Sequence, residues 1–219
     1  MTIRGWQHAT DIRMTGTPLD EYHRKRKFTE TPEPAGRVRR SSRPCIFVVQ
    51  KHDASRLHYD FRLAISGVLV SWAVPKGPSM NPAEKRLAVR TEDHPLEYAE
   101  FEGVIPAGQY GAGTVMVWDT GTYKPQDGLP PEEQLAHGKI DAVLQGEKLR
   151  GGFTLVQTGS RPAHSSQKER WLLIKRRDEH ADPSWDIESP RFDRSVLTGR
   201  SLKEIESDRP KKISARGAR

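Results

Sequence analysis

Between Lys51 and Leu63 the chain reads KHDASRLHYDFRL, which places two histidines, two aspartates and two arginines within thirteen residues. Leu57, Tyr59, Phe61 and Leu63 occupy one parity, and His58, Asp60 and Arg62 the other. A strand alternates faces, so the three polar side chains share one face, with neighbours about 6–7 Å apart. His58 and Asp60 can then reach one ion, with Arg62 a step further along. His52 lies six residues before His58, and a turn across Asp53–Arg56 returns its imidazole to the same point. Two imidazoles and one carboxylate suit a borderline divalent ion and leave positions open for water or substrate. An arginine beside such an ion points to an anionic substrate, because guanidinium matches phosphate oxygens two at a time. The competing reading is a solvated strand face without function. A lone H-x-D does not separate the two; His52 and Arg62 add weight to the metal site.

A second polar cluster is RTEDHPLEYAEFEG. His94 precedes Pro95, which biases it towards an extended loop conformation, and Tyr98 follows four residues later. A loop histidine is a candidate general acid or phosphate ligand, or simply a surface residue. His8, His23, His137, His164 and His180 are scattered and carry no such context. GVIPAGQYGAGTV holds four glycines but no following Gly-Lys-Ser/Thr, so its glycines are read as turn residues and not as a phosphate loop. There is no G-x-S-x-G and no C-x-x-C, and Cys45 is the single cysteine.

The elements that must position these residues are mostly strands. CIFVVQ reads as a buried strand, LHYDFRLAI and VLVSWAV as a hairpin turning at Ser66-Gly67, and RLAVRT as a further strand. TVMVWD and TGTY resume the pattern after a long irregular stretch. KIDAVLQG and GFTLVQT form a second hairpin, and RWLLIKRRD is the last strong strand. Helices are few: a short one in PLDEYHRKRKF, ended by Pro32 and Pro34, and brief candidates at PPEEQLAHG and SLKEIES. The expected fold is mostly β, a compact antiparallel barrel with one or two short helices and flexible basic termini. The expected division is a flexible arm over 1–17, a barrel domain over 18–180 and a C-terminal extension over 181–219 that ends in disorder.

The chain has 219 residues, of which 34% are hydrophobic, low for a fully packed domain. A single cysteine excludes an intramolecular disulfide and fits a reducing compartment. No apolar run approaches a membrane span, and MTIRGWQHAT lacks the core of a signal peptide. The formal net charge is +7. Residues 21–43 hold eight Lys/Arg against three Glu, and residues 209–219 hold five against none, so each carries +5 and the remaining residues carry −3. Basic arms on a near-neutral domain fit nucleic-acid contacts, where phosphate neutralisation releases counterions.

EYHRKRKFTETPEP, FVVQKHDASRLHYDFRL, SWAVPKGPS, RLAVRTEDHPLEYAEFEGVIPAGQYGAGTV and WLLIKRRD, in this order over most of residues 20–178, resemble the 3′-phosphoesterase module of bacterial DNA ligase D, which also occurs free-standing. The resemblance implies a compact β-barrel enzyme, usually manganese-dependent, with Co²⁺ or Zn²⁺ as alternatives. Such an enzyme removes a terminal ribonucleoside from a primer strand and then the resulting 3′-phosphate, leaving a 3′-OH. By resemblance His52, His58 and Asp60 match the metal ligands. Arg62, His94 and Tyr98 match residues that hold or act on the scissile phosphate, and Arg86 matches a further arginine of that site. The segment Glu21–Phe28 matches a helix tied to the diesterase step. The implied partners are DNA primer–template or duplex 3′ ends, a separately encoded ATP-dependent ligase and end-bridging repair proteins. The implied setting is a cytoplasmic, nucleoid-associated monomer, stand-alone or a fragment, acting in strand-break repair by end joining.

Two rivals share the motifs. A non-haem iron oxygenase would use His58 and Asp60 with His94 or His137 as a facial triad. A non-catalytic DNA-end-binding module would hold a structural ion, though such sites normally close with four ligands.

Overall fold

The computed structural model describes residues 16–39, 45–159 and 168–208; all but the last two residues of the flexible arm expected over 1–17, and the basic stretch 209–219 that ends the expected extension 181–219, lie outside them. Nine strands form one antiparallel sheet: β1 (Ile46–Asp53), β2 (Leu57–Ile65), β3 (Val68–Val74), β4 (Lys85–Arg90), β5 (Gly103–Ile105), β6 (Gly113–Pro125), β7 (Lys139–Gly146), β8 (Arg150–Thr158) and β9 (Arg170–Lys175). The order runs β1-β2-β3-β4-β9-β8-β7-β6, and β6 pairs back onto β1, which closes an eight-stranded barrel. β5 hangs on the free half of the β6 edge. Three short α-helices accompany it among the described residues, α1 (Asp20–Arg24), α2 (Pro131–Ala136) and α3 (Leu202–Ser207). The mostly β barrel expected from alternation is therefore present.

Local sequence explains the register that matters. Ser66 and Gly67 both take positive φ, 49° and 85°. That is the two-residue geometry matching strand twist, so it locks Ile65 against Val68 and sets Arg62 opposite Ser71. β6 is one 13-residue strand and not two, bent by a register shift opposite Val49/Gln50. Gly121 lets it pass the β7–β8 hairpin, since a Cβ there would lie 2.1 Å from the Gln145 carbonyl.

Inward-facing residues fill the barrel, among them Phe47, Tyr59, Phe61, Trp72, Trp118 and Trp171, each at most 1% exposed. A second apolar cluster lies on the outer face of β1, β3 and β6. Tyr22 of α1 and Leu96, Tyr98 and Ala99 of a 3₁₀ turn (Leu96–Glu100) cover it. Gln50 stitches this turn to β1 by donating to the carbonyls of Tyr98 (3.0 Å) and Phe101 (2.9 Å).

The first basic stretch is not a free arm in its described part. Leu19 and Tyr22 are fully buried, and Arg26 is almost wholly withdrawn from water against Glu33 and Glu92. The correction has a simple cause: acids spaced far along the chain pair these cations, so local charge counting overstates how much stays free. After β9 the chain runs as a strap across one end of the barrel. Trp185 and Phe192 pack on the core, Ile187 and Ile205 are buried within it, and a capping box of Ser201 and Glu204 starts α3. Lys51, on the inner face of β1, reaches the strap through Glu188 (3.2 Å) and Asp193 (3.1 Å). No helix among the described residues is long and apolar enough to cross a membrane.

Candidate metal centre and phosphate site

The outer face of the β1–β2 hairpin carries the candidate centre. His52 and His58 are direct cross-strand partners, so the turn over Ala54–Arg56 does bring the two imidazoles together, with ring centroids 4.8 Å apart. Asp60 is two residues along β2 on the same face. One donor atom from each of His52, His58 and Asp60 lies within 4.8 Å of the others. His52 Nδ1 is 3.7 Å from one Asp60 oxygen and His58 Nε2 is 3.8 Å from the other.

The remaining ring nitrogens decide whether these residues fit a cation. His52 Nε2 lies 2.9 Å from the Gly111 carbonyl, and His58 Nδ1 lies 2.9 Å from the Arg56 carbonyl. A carbonyl only accepts, so each of these nitrogens donates its N–H, and the opposite nitrogen is the one that faces Asp60. Backbone carbonyls fixing the tautomer of ligating histidines are the usual outer layer of a metal site. Burial opposes ionisation of Asp60, yet Arg62 and the two imidazoles hold its carboxyl well below the usual carboxylate range. A carboxylate oxygen and two imidazole nitrogens converging on one point fit a divalent ion.

Arg62 continues the same face and is 3% exposed. Its guanidinium donates to Gln50 Oε1 (2.8 Å), Ser71 Oγ (2.8 Å) and Asp60 Oδ2 (3.1 Å) and lies 2.8 Å from His94 Nδ1. It is thereby fixed between the carboxylate of the trio and His94. His94 is held by a pair of backbone bonds to Leu69, extending the sheet beyond β3. Its Nε2 lies 3.2 Å from Arg26 Nη2, so the ring is flanked by two guanidiniums. Burial first, then the charges of Arg62 and Arg26, push its pKa well below that of an ordinary histidine. His94 is therefore neutral in the free protein, and two donors that an oxyanion would satisfy converge on it.

Tyr98 belongs to the same cluster through its ring. The ring centroid is 4.7 Å from that of His94 and 5.0 Å from the Arg62 guanidinium. Its hydroxyl turns away and donates to Glu33 at 3.0 Å, and burial with that carboxylate nearby raises its pKa. Arg86 is not brought to the group. It pairs across strands with the core residue Leu173 and donates to Glu84 at 2.5 Å. It therefore shares the inner face of the wall, whereas the trio and Arg62 occupy the outer one. His137 caps the end of α2 and contributes nothing to the trio.

Several residues of the cluster escaped sequence reasoning. Gln50 shares parity with His52 on β1, a signal that was readable once β1 was extended to Asp53. Ser71 is the one polar residue in VLVSWAV. Arg26 joins Glu33 (2.8 Å), Glu92 (3.2 Å) and the face of Tyr22 (3.9 Å) to the site; it lies in the Glu21–Phe28 segment that the resemblance pointed to, but no local pattern singled it out.

Comparison with known proteins adds a family. Residues 50–157 match the model of the DNA Ligase D 3′-phosphoesterase domain, a span that contains the whole trio, Arg62, His94 and Tyr98. The chain belongs to the DNA ligase D 3′-phosphoesterase domain family. It is 51% identical over 189 residues to the multifunctional non-homologous end joining protein LigD of Pseudomonas aeruginosa, covering 84% of this chain and 22% of that protein. It is 43% identical over 166 residues to the LigD of Mycolicibacterium smegmatis, covering 74% of this chain and 21% of the relative. The LigD of Mycobacterium tuberculosis is 42% identical over the same length, with 74% and 20% covered. The chain thus spans about a fifth of the length of these relatives. For a phosphoesterase domain the layout is coherent: a trio that could hold an ion, on one hairpin, abutting a pair of guanidiniums around a buried histidine.

Proposed function

We propose that this chain is a divalent-metal-dependent phosphoesterase that processes DNA 3′ ends. On this reading it cleaves a terminal ribonucleoside from a primer strand and then removes the 3′-phosphate left behind, producing a 3′-OH for end joining. The observation that carries the reading is the direct abutment of the His52–His58–Asp60 trio and the Arg62–His94 pair through one Asp60–Arg62 hydrogen bond. A phosphate with one oxygen towards the trio has others towards Arg62, Arg26 and His94.

His52, His58 and Asp60 would hold Mn²⁺, or Co²⁺ or Zn²⁺. Such an ion supplies Lewis-acid charge to a phosphate oxygen. Arg62 and Arg26 orient the remaining oxygens and offset their charge, in a pocket already withdrawn from water. In the first step water adds at phosphorus and the bond to the departing ribonucleoside oxygen breaks. In the second a further water adds at phosphorus as the bond to the primer's own 3′ oxygen breaks, releasing inorganic phosphate, and each departing alcohol takes up a proton. His94 starts neutral, so it can hand over a proton only after the phosphate's charge has raised its affinity for one. Until then it acts as a hydrogen-bonding clamp. Tyr98 supports His94 and Arg62 with its ring. Basic segments would add salt-dependent affinity for the duplex. A ligase and end-bridging proteins are the proposed partners, and a cytoplasmic, nucleoid-associated monomer is the proposed setting.

One assay tests this. A primer–template ending in a 3′-phosphate or a single 3′-ribonucleotide is incubated with and without Mn²⁺. Metal-dependent conversion of both ends to 3′-OH is expected, and no trimming of either end under any divalent metal overturns the reading. The oxygenase alternative survives only in altered form, because the trio is itself two histidines and a carboxylate while neither His94 nor His137 joins it. Iron- and oxo-acid-dependent turnover would favour it.

A further inference from the structure

At the rim of the site stands an aromatic ring with no part in the chemistry above. Tyr110 lies in the 106–112 loop between β5 and β6 and is 42% exposed. A single exposed aromatic is ordinarily unremarkable, but this one is fixed on several sides. Backbone bonds from Gln109 to Pro106 (3.2 Å) and from Ala112 to Gln109 (3.1 Å) hold the loop, and the Gln109 side chain donates to Glu30 at 2.7 Å. The Tyr110 hydroxyl accepts from Lys25 at 3.1 Å and sits 3.4 Å from Glu92. The Lys25 ammonium is 4.5 Å and the Arg26 guanidinium 5.5 Å from the ring centroid. The next residue, Gly111, supplies the carbonyl that fixes the metal-facing tautomer of His52. A half-open π surface is thus held one residue from the tether of a metal ligand, beside the arginine that faces His94.

We propose that Tyr110 is a nucleobase platform: the base of the 3′-terminal nucleoside bearing the scissile phosphate stacks on its ring. This rests on the phosphoesterase reading and extends it to the substrate's nucleoside. Every base has a π face, so stacking holds an end without selecting its sequence, which suits an enzyme meeting broken ends of any sequence. The loop couples the two contacts, because the segment that presents the ring also orients His52. A terminal base seated on Tyr110 therefore places its phosphate in register with the trio.

The test uses a primer–template whose 3′-terminal nucleotide is 2-aminopurine carrying a 3′-phosphate, in chelator so that nothing turns over. Quenching of its fluorescence is expected on binding the full chain and the Tyr110→Phe and Tyr110→Trp variants, and is lost in Tyr110→Leu. Affinity is then compared for the same duplex with an abasic terminal nucleoside. Removing the base should weaken wild-type binding about tenfold and leave binding by Tyr110→Leu unchanged. A Mn²⁺ titration of Tyr110→Leu matching wild type shows that the loop and His52 are intact. Equal base dependence in wild type and Tyr110→Leu, or no quenching by the wild type, overturns the platform. Trimming without this coupling sinks the platform alone; coupling without trimming sinks the phosphoesterase reading and leaves the platform standing.

Discussion

Arg62 and His94 lie 2.8 Å apart, Nη1 to Nδ1, although they come from different parts of the sheet, β2 and the extension beyond β3. Arg62 also spends a donor on Asp60. One side chain thus touches both the proposed ion site and the proposed phosphate clamp.

Arg62→Ala should therefore harm turnover more than metal binding. Removal leaves Gln50, Ser71 and Asp60 without their shared donor in a buried place, a loss of about 3–5 kcal/mol in stability. Arg62→Lys keeps the charge but cannot make the fork of bonds. Its trimming rate is expected to fall at least about 100-fold, with Mn²⁺ affinity, measured by titration calorimetry, changed much less. Equal loss of both would assign Arg62 to the ion site alone.

Metal should stabilise the fold by mass action. At a free concentration one hundred times the dissociation constant, one site adds about 2.7 kcal/mol. A thermal shift on adding Mn²⁺ is expected for wild type and is expected to vanish in His58→Ala. A shift that persists undiminished in His58→Ala would place the ion elsewhere.

The depressed pKa of His94 sets a pH dependence. Above the ordinary value of 6.5, both folded and unfolded states leave this ring neutral, so it contributes nothing. As pH falls below 6.5 the unfolded chain takes up a proton that the folded protein refuses, and stability drops until the folded pKa is reached. Between pH 7.5 and 5.5 the metal-free wild type should lose more stability than His94→Gln, by denaturant unfolding. Parallel losses in the two proteins would mean that His94 protonates freely when folded.

Tyr98→Phe separates ring from hydroxyl. The hydroxyl serves Glu33, so its removal should cost about 1 kcal/mol of stability and reduce trimming by less than about tenfold. Tyr98→Leu, which also removes the ring beside His94 and Arg62, should cost clearly more in rate. A collapse of rate in Tyr98→Phe with unchanged stability would put the hydroxyl on the substrate.

Alternation made much of this legible. LHYDFRL assigned three polar residues to one face and four aromatic or aliphatic ones to the other, of which Tyr59, Phe61 and Leu63 are buried and Leu57 is exposed, and the Ser66-Gly67 turn was visible as a turn. The clustering of His52, His58 and Asp60 was readable because they lie within nine residues of one hairpin, where register follows from the turn. Arg26, Glu33 and Glu92 were not readable as a network, since partners up to 66 residues apart meet only after α1 docks on the barrel. The strap after Asp178 has few apolar anchors and no period, so Trp185 and Ile187 looked isolated until the barrel end was there to receive them. Arg86 illustrates the limit of motif matching: its parity aligns it with Leu173, a fact that required the β4–β9 register.

The opposed faces of β1 have a thermodynamic corollary. Lys51 points inward to Glu188 and Asp193 while its neighbour His52 points outward to the ion trio. A strand gripped from both sides transmits loss on one side to the other, because detaching the strap frees the backbone that sets His52. Linkage is reciprocal, so ion loading should slow protease attack within residues 186–193, and trimming the strap should loosen the ion. If the trio holds an ion as proposed, the C-terminal segment would be a remote part of its affinity.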